Sequence, residues 1–260
     1  MQASENSLVK TERRGAVLLL VIDRPAARNA LNPIILERLS EELTNADHDS
    51  AIHAVALTGG PKDFSAGADI DTLSGHSPAS YLASPTRRAF ERISRTEKPI
   101  VAGVAGFCLG GGCELALSCD LIVAGDNAIF GQPEINLGII PGAGGTQLWR
   151  ERTGAGPQVQ AALLGGLVDA WTARRMGLVD EIVPAEHIVE AAVEKAQAIA
   201  SKAPLASRTA KAALRSAGAM NLHAALAHEV GLMAGLLGTE DAQEGTRAFL
   251  EKRKPNFQGR

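Results

Sequence analysis

Apolar and polar positions alternate in blocks along this chain, and the blocks predict a regular order of elements. "GAVLLLVIDRP" is a continuous apolar run closed by Pro25, the pattern of a buried strand. In "LNPIILERLSEELTNADHD" the apolar residues recur at helical spacing, with Asn32 placed as N-cap and Pro33 at the first helical position. "AIHAVALTGG" and "KPIVAGVAG" read as further strands bounded by Gly or Pro, and the charged amphipathic helix "SPTRRAFERISRTEKP" lies between them. "CELALSCD" suits a short buried helix, and "LIVAGDNAIFG" suits strand material ending in a glycine turn. No hairpin signal of the Asn-Gly type occurs in this half.

From about Pro184 the pattern changes. "AEHIVEAAVEKAQAIASKAP", "LASRTAKAALRSAG", "MNLHAALAHEVGLMAGLL" and "TEDAQEGTRAFLEKRK" predict successive Ala-rich helices separated by Pro or Gly. The expectation is an α/β core over residues 1–190 followed by a helical region over 191–260, packed on this core or on a neighbouring subunit.

Composition narrows the function. The 260 residues are 45% hydrophobic and 21% charged, enough to bury a full core. A net charge of −3 argues against binding nucleic acid by phosphate neutralisation. Cys108, Cys113 and Cys119 lack the paired C-x-x-C spacing of zinc sites and read as core thiols of a reducing compartment. No apolar run approaches the roughly 20 residues needed to span a bilayer. The N-terminus lacks a secretory h-region and the C-terminus "NFQGR" lacks a peroxisomal address, so a cytoplasmic location is expected.

Two glycine clusters carry the candidate chemistry. Neither "CLGGGC" nor "GAGGTQ" completes G-x-G-x-x-G, and the chain contains no P-loop, so phosphate cradling is poorly supported. Gly-rich turns ahead of a helix have another use, which is to present bare N–H groups to negative charge. "FSAGADI" is a second small-residue turn after a strand, and two such turns can supply the paired donors of an oxyanion hole. Two acids accompany them. Glu114 lies one turn into the helix after Gly111, and Glu134 is the only charge between Asp126 and Arg150. A lone acid is most often a structural cap or an arginine partner. A carboxylate in Gly/Ala/Leu surroundings nevertheless costs several kcal/mol unless it is compensated, and two acids beside two donor turns suit proton transfer next to a carbonyl.

Together "FSAGADI", "KPIVAGVAGFCLGGGCELALSCD", "FGQPEINLGIIPGAGGTQ" and "EGTRAFLEKRKPNF" resemble the crotonase superfamily, closest to the enoyl-CoA hydratases, over nearly the whole chain. That resemblance implies a crotonase-type spiral of ββα units with two near-perpendicular β layers and a C-terminal helical region. It implies homotrimers, often paired into hexamers, in which the helical region serves oligomerisation and active-site closure. It assigns the oxyanion-hole N–H groups to Ala68 and Gly111, and the catalytic acids to Glu114 and Glu134. The implied reaction adds water across the 2-trans double bond of an enoyl-CoA thioester to give 3-hydroxyacyl-CoA, with Glu114 as base and Glu134 as acid. Coenzyme A enters as part of the substrate, no further cofactor or metal is required, and neither nucleic acid nor membrane is an expected partner.

Arg28 and the turn Ala68, Asp69 and Ile70 match the family's CoA-contacting segments. The basic cluster Lys252, Arg253 and Lys254 is a candidate for the CoA phosphates or, equally, a solvated helix end. Three places depart from the family pattern. Asp71 stands where a lysine is common, "DTLSGHSPASYLAS" matches poorly and is the expected lining of the acyl pocket, and Trp149 replaces a smaller or basic residue. The competing readings are an enoyl-CoA isomerase, a specialised hydroxyacyl-CoA dehydratase, and a non-catalytic RNA-binding member. The pair of acids favours hydration over isomerisation, and the acidic balance disfavours RNA.

Overall fold

The structure is a computed structural model that describes residues 8–260; the part of the leader-free N-terminal reading that falls on residues 1–7 lies outside them. Nine strands and twelve α-helices of the described residues are built around two sheets. β1 (Val9–Arg14), β2 (Val17–Ile22), β3 (Ala54–Thr58), β4 (Ile100–Val104), β6 (Leu121–Gly125) and β9 (Glu181–Val183) form a six-stranded sheet in the order β1-β2-β3-β4-β6-β9. β5 (Phe107–Leu109), β7 (Ile129–Gly131) and β8 (Leu167–Asp169) form a three-stranded sheet in the order β5-β7-β8. Both sheets draw alternately on the same stretch of chain, so that β4 leads directly into β5 and β6 into β7.

The large sheet is parallel from β2 to β9, and β3 and β4 are buried at every position, as expected of strands covered on both faces. One side is covered by α1 (Pro33–His48) and α4 (Pro85–Ser94), and the other by α9 (Ile188–Ala200). The Asn32 side chain caps α1 by accepting from the Ile35 N–H at 2.9 Å. β1 and β2 form an antiparallel hairpin across Gly15, which has φ +67°. The sequence contained no Asn-Gly signal for it, because Gly15 followed by Ala16 supplies the positive φ in another form.

Helices α9, α10 (Pro204–Ala217), α11 (Leu222–Leu237) and α12 (Glu240–Leu250) match the four predicted from periodicity. The 190/191 boundary falls inside α9, which packs on β2, β3, β4 and β6. α10 is tied to the sheet through charge. The buried Lys211 ammonium meets Asp120 Oδ2 at 2.7 Å and donates to the Lys98 carbonyl at 2.6 Å, while Asp120 Oδ2 accepts from the Ile100 N–H at 2.7 Å. Asp120, the second acid of the glycine-rich stretch, is thereby a structural acid. Cys108, Cys113 and Cys119 are buried free thiols, as expected. α11 is different in having no buried residue: Leu222, Leu226, Val230, Met233 and Leu237 are all exposed.

Candidate active site

Two turns converge where the sheets meet. The chain leaving β3 passes through Phe64 and Ser65, whose N–H groups donate to the carbonyls of Ala105 (2.7 Å) and Phe107 (2.8 Å), and Leu109 N donates back to Ser65 O at 3.0 Å. This lacing lays the "SAGAD" turn alongside β5. Gly112 permits the contact, because a methyl carbon there would come within 2.6 Å of Ser65 Cβ.

The next residues are Gly110 (φ +49°) and then α5 (Gly111–Leu117), so the Gly111 N–H opens a helix and lacks an intrahelical acceptor. The Ala68 N–H is left over in a similar way. Leu31 N donates to Gly67 O (2.8 Å) and Asp69 N donates to Leu31 O (2.9 Å), bonds that flank Ala68 without using its own N–H. The two nitrogens are neighbours: a carbon at the Gly111 Cβ position would lie 3.5 Å from Ala68 N, and one at Gly67 would lie 3.8 Å from Gly111 N.

Glu114 sits one turn along α5 and is 4% exposed. No cation is paired with it among the described residues. Its Oε1 accepts instead from Ala143 N (2.6 Å) and Gly145 N (2.8 Å), at the start of α6 (Gly145–Thr153). Burial raises the Glu114 pKa above the ordinary carboxylate range, and these backbone donors oppose the rise. The "GAGG" cluster therefore turns two of its backbone N–H groups to an acid.

Glu134 lies in a 3-10 turn, Pro133–Leu137, that follows β7. Its carboxylate faces the other glycine turn, with Oε1 3.0 Å from where a Gly110 Cβ would stand. Its pKa is raised to about 7, first by burial and then by the negative charge of Glu114, against a lowering from its own backbone N–H. One acid locked on backbone donors and a second one poised near neutrality can divide the roles of base and acid.

Sequence reasoning missed Gln132. Only 2% exposed, it donates through its amide nitrogen to both Glu134 oxygens, at 3.1 and 3.2 Å, in the orientation that also satisfies its carbonyl. Its amide group also packs on Gly145, where a Cβ would lie 2.8 Å from Cδ, so one side chain joins the supports of both acids. A polar residue two positions before an isolated acid, in Q-P-E, was the available signal.

Tyr81, in α3 (Pro78–Leu82), places its ring against Gly142, next to the donors that hold Glu114. Burial and then the Glu114 charge push its phenol pKa up, which puts part of the poorly matching segment beside Glu114.

The CoA candidates divide. Arg28, in the left-handed region at φ +47°, lays its guanidinium 5.0 Å from the Phe107 ring centroid, beside the Gly110–Gly111 turn. Ile70 is 55% exposed at the start of α2 (Ile70–Ser74). Asp69 is engaged elsewhere, its carboxylate 2.6 Å from Arg24 Nη1. Lys252 stands exposed beyond α12 at φ +55°, and α12 packs on α11. The basic cluster also thins out, because Arg253 is bound to Glu244 and Glu251 at 2.6 Å each. Trp149 is fully buried behind the site, its indole N–H without an acceptor among the described residues.

No group of three or more His, Cys, Asp or Glu side chains suited to a metal ion occurs among the described residues, and no described helix is long and apolar enough to cross a membrane.

Comparison with known proteins agrees with this geometry. The family profile described as enoyl-CoA hydratase/isomerase matches residues 12–260. The chain is 44% identical to the 2,3-dehydroadipyl-CoA hydratase of Escherichia coli K12 over 95% of its length and 97% of that protein's. It is 39% identical to the mitochondrial enoyl-CoA hydratase of Pongo abelii, covering 95% of this chain and 86% of that one. An enoyl-CoA hydratase subunit from Geobacillus kaustophilus superposes with a TM-score of 0.94 at 36% identity, over 99% of this chain and 100% of that one. The chain is a member of the enoyl-CoA hydratase/isomerase family and has its crotonase fold.

Proposed function

We propose that this enzyme adds water to a 2-trans-enoyl-CoA, using the Ala68 and Gly111 N–H groups to polarise the thioester carbonyl and Glu114 and Glu134 to move the protons. The observation that carries the proposal is the pairing of two unused, adjacent backbone donors with two acids of raised pKa, neither of them matched to a cation. The thioester oxygen accepts from both donors, and charge drawn onto it makes C3 electrophilic; one such donor is worth roughly 3–4 kcal/mol at comparable sites. Glu114, held by Ala143 and Gly145, takes a proton from water as the water oxygen bonds to C3. Glu134 delivers a proton to C2. The π electrons of the C2–C3 bond pass through the enolate and return to C2, and the net change is the addition of one water.

Coenzyme A is carried by the substrate, and the Arg28 and Ile70 region receives it. Acyl preference belongs to residues 71–84, where Tyr81 approaches the Glu114 loop. The relatives differ here: one is named for 2,3-dehydroadipyl-CoA and another, from Syntrophomonas wolfei, for crotonyl-CoA, so both substrates belong in the first assay. The reading includes a cytoplasmic enzyme assembled as a trimer or a dimer of trimers, with residues 191–260 in the interface.

The test is the loss of conjugated enoyl-thioester absorbance when the purified protein meets crotonyl-CoA. Rapid loss, reduced about 10³-fold in Glu114→Gln, is the expected result. Persistence of the absorbance with both substrates would overturn hydration and turn attention to 3-enoyl substrates.

A further inference from the structure

Arg24 belongs to none of the groups that the proposed reaction uses, yet it is half-buried and bonded to Asp69, the residue that follows Ala68. We propose that the Arg24–Asp69 ion pair is a brace that aims the Ala68 N–H, which makes Arg24 a positioning residue for catalysis. This inference rests on the oxyanion reading of Ala68.

The geometry is a short ladder between residues 24–31 and the turn 66–69. Ala66 N donates to Arg28 O at 2.9 Å, Leu31 N to Gly67 O at 2.8 Å, and Asp69 N to Leu31 O at 2.9 Å. Residues 66, 67 and 69 are each fixed by one of these bonds. Ala68, between them, keeps its N–H for the substrate.

The last rung is closed by side chains. Arg24 Nη1 donates to Asp69 Oδ2 at 2.6 Å and to the Ala30 carbonyl at 3.1 Å, so one guanidinium nitrogen grips both strands of the ladder. Asp69 occupies the N-cap position of α2, where an aspartate ordinarily accepts from the first turn, but it makes no capping bond there. The carboxylate is bonded to Arg24, and that guanidinium is the first cause holding its pKa below the usual carboxylate range, with the backbone N–H groups of Thr72 and Asp71 as lesser ones.

The base of the brace is rigid as well. Arg24 N donates to Asn29 Oδ1 (2.8 Å), and Asn29, buried and left-handed at φ +56°, donates through Nδ2 to Gly59 O (3.1 Å) and Asp63 O (2.7 Å). The turn that presents Ala68 is thereby referred back to the end of β3. A donor displaced by a fraction of an ångström loses much of its hold on a developing oxyanion, since misplacements of about 1 Å can cost 10²-fold in rate.

The experiment compares Arg24→Met, Arg24→Lys and Asp69→Asn with the unmodified enzyme. Three readouts are taken: kcat and KM on crotonyl-CoA, and the absorbance of a bound enoyl-CoA bearing a para-dimethylaminophenyl group. Such a push–pull acyl chain absorbs further to the red as its carbonyl is polarised. The expected result is a 10- to 100-fold fall in kcat for Arg24→Met, with KM within about 3-fold and a smaller red shift. Asp69→Asn should do the same, the double variant should be no worse than either single one, and Arg24→Lys should recover part of the shift.

Full red shift and kcat in Arg24→Met and Asp69→Asn would overturn the brace. So would a rise in KM at unchanged kcat, which would assign Arg24 to the CoA phosphates. Should Arg24→Met fail to fold, Arg24→Lys decides the matter, because the unmodified red shift there would exclude a dependence on the two-strand grip. Absence of any red shift in the unmodified enzyme would remove the oxyanion reading itself, and the brace with it.

Discussion

Glu134 shows how surroundings change the chemistry open to a single residue. In sequence it is an isolated acid; in the fold it is half-buried beside a second acid, and burial lifts its pKa to about 7 from an ordinary 4.5. A raised pKa means that the group holds its proton up to near neutrality and loses it above. If Glu134 supplies the proton, kcat/KM falls as pH rises through about 7 and is steady just below. The two acids titrate as a coupled pair, so this limb belongs to the pair. In Glu134→Gln the limb should vanish along with about 10³-fold of the turnover, and a pH–rate series on both proteins reads both effects. A limb that stayed in place in the variant would remove Glu134 from the acid role. Gln132 illustrates the opposite case, a neutral residue that matters because its amide touches both Glu134 oxygens.

At the scale of elements, the site depends on how closely a strand-end turn approaches a helix start. α5 begins where the backbone has used three glycines in succession, and each has a separate physical reason. Gly110 takes a positive φ beside Glu134, Gly111 keeps its N–H bare next to Ala68, and Gly112 allows Ser65 into contact. Gly112→Ala would place a methyl within 2.6 Å of Ser65 Cβ and 2.7 Å of its carbonyl oxygen, forcing the two donor turns apart. The expected outcome is a loss of about 1–3 kcal/mol in stability, from overpacking, and a fall in kcat of about 10²-fold. Thermal unfolding and steady-state kinetics on the same sample separate the two effects. An unchanged kcat would show that the spacing of the turns does not limit the reaction. The predicted elements were legible because periodicity and caps are local: Asn32 caps α1 as its position suggested. The β1–β2 hairpin was not, since its turn uses Gly15 in place of the Asn-Gly pair.

For the whole molecule, the largest unexplained feature is apolar surface. Leu222, Leu226, Val230, Met233 and Leu237 of α11 lie exposed, with Phe249 and Leu250 at the end of α12. Patches of this kind mark interfaces. We expect sedimentation velocity to find an assembly of three or six chains, and the double variant Leu226→Glu and Met233→Glu to release smaller species with impaired activity. A monodisperse monomer of the unmodified protein would overturn the assembly.

Much of this protein was determined by its sequence alone. Hydrophobic periodicity placed the strands and helices, and two small-residue turns with two isolated acids marked the candidate site, because each is a pattern among near neighbours. The tertiary structure decided what depends on residues distant in the chain. It gave Asp120 to Lys211 and left Glu114 to the Ala143 and Gly145 donors, although both acids lie in one glycine-rich stretch. It engaged Asp69 with Arg24, 45 positions away, and broke up the basic cluster by pairing Arg253. A carboxylate's role is set by which donor or cation reaches it across space, and no local pattern encodes that choice.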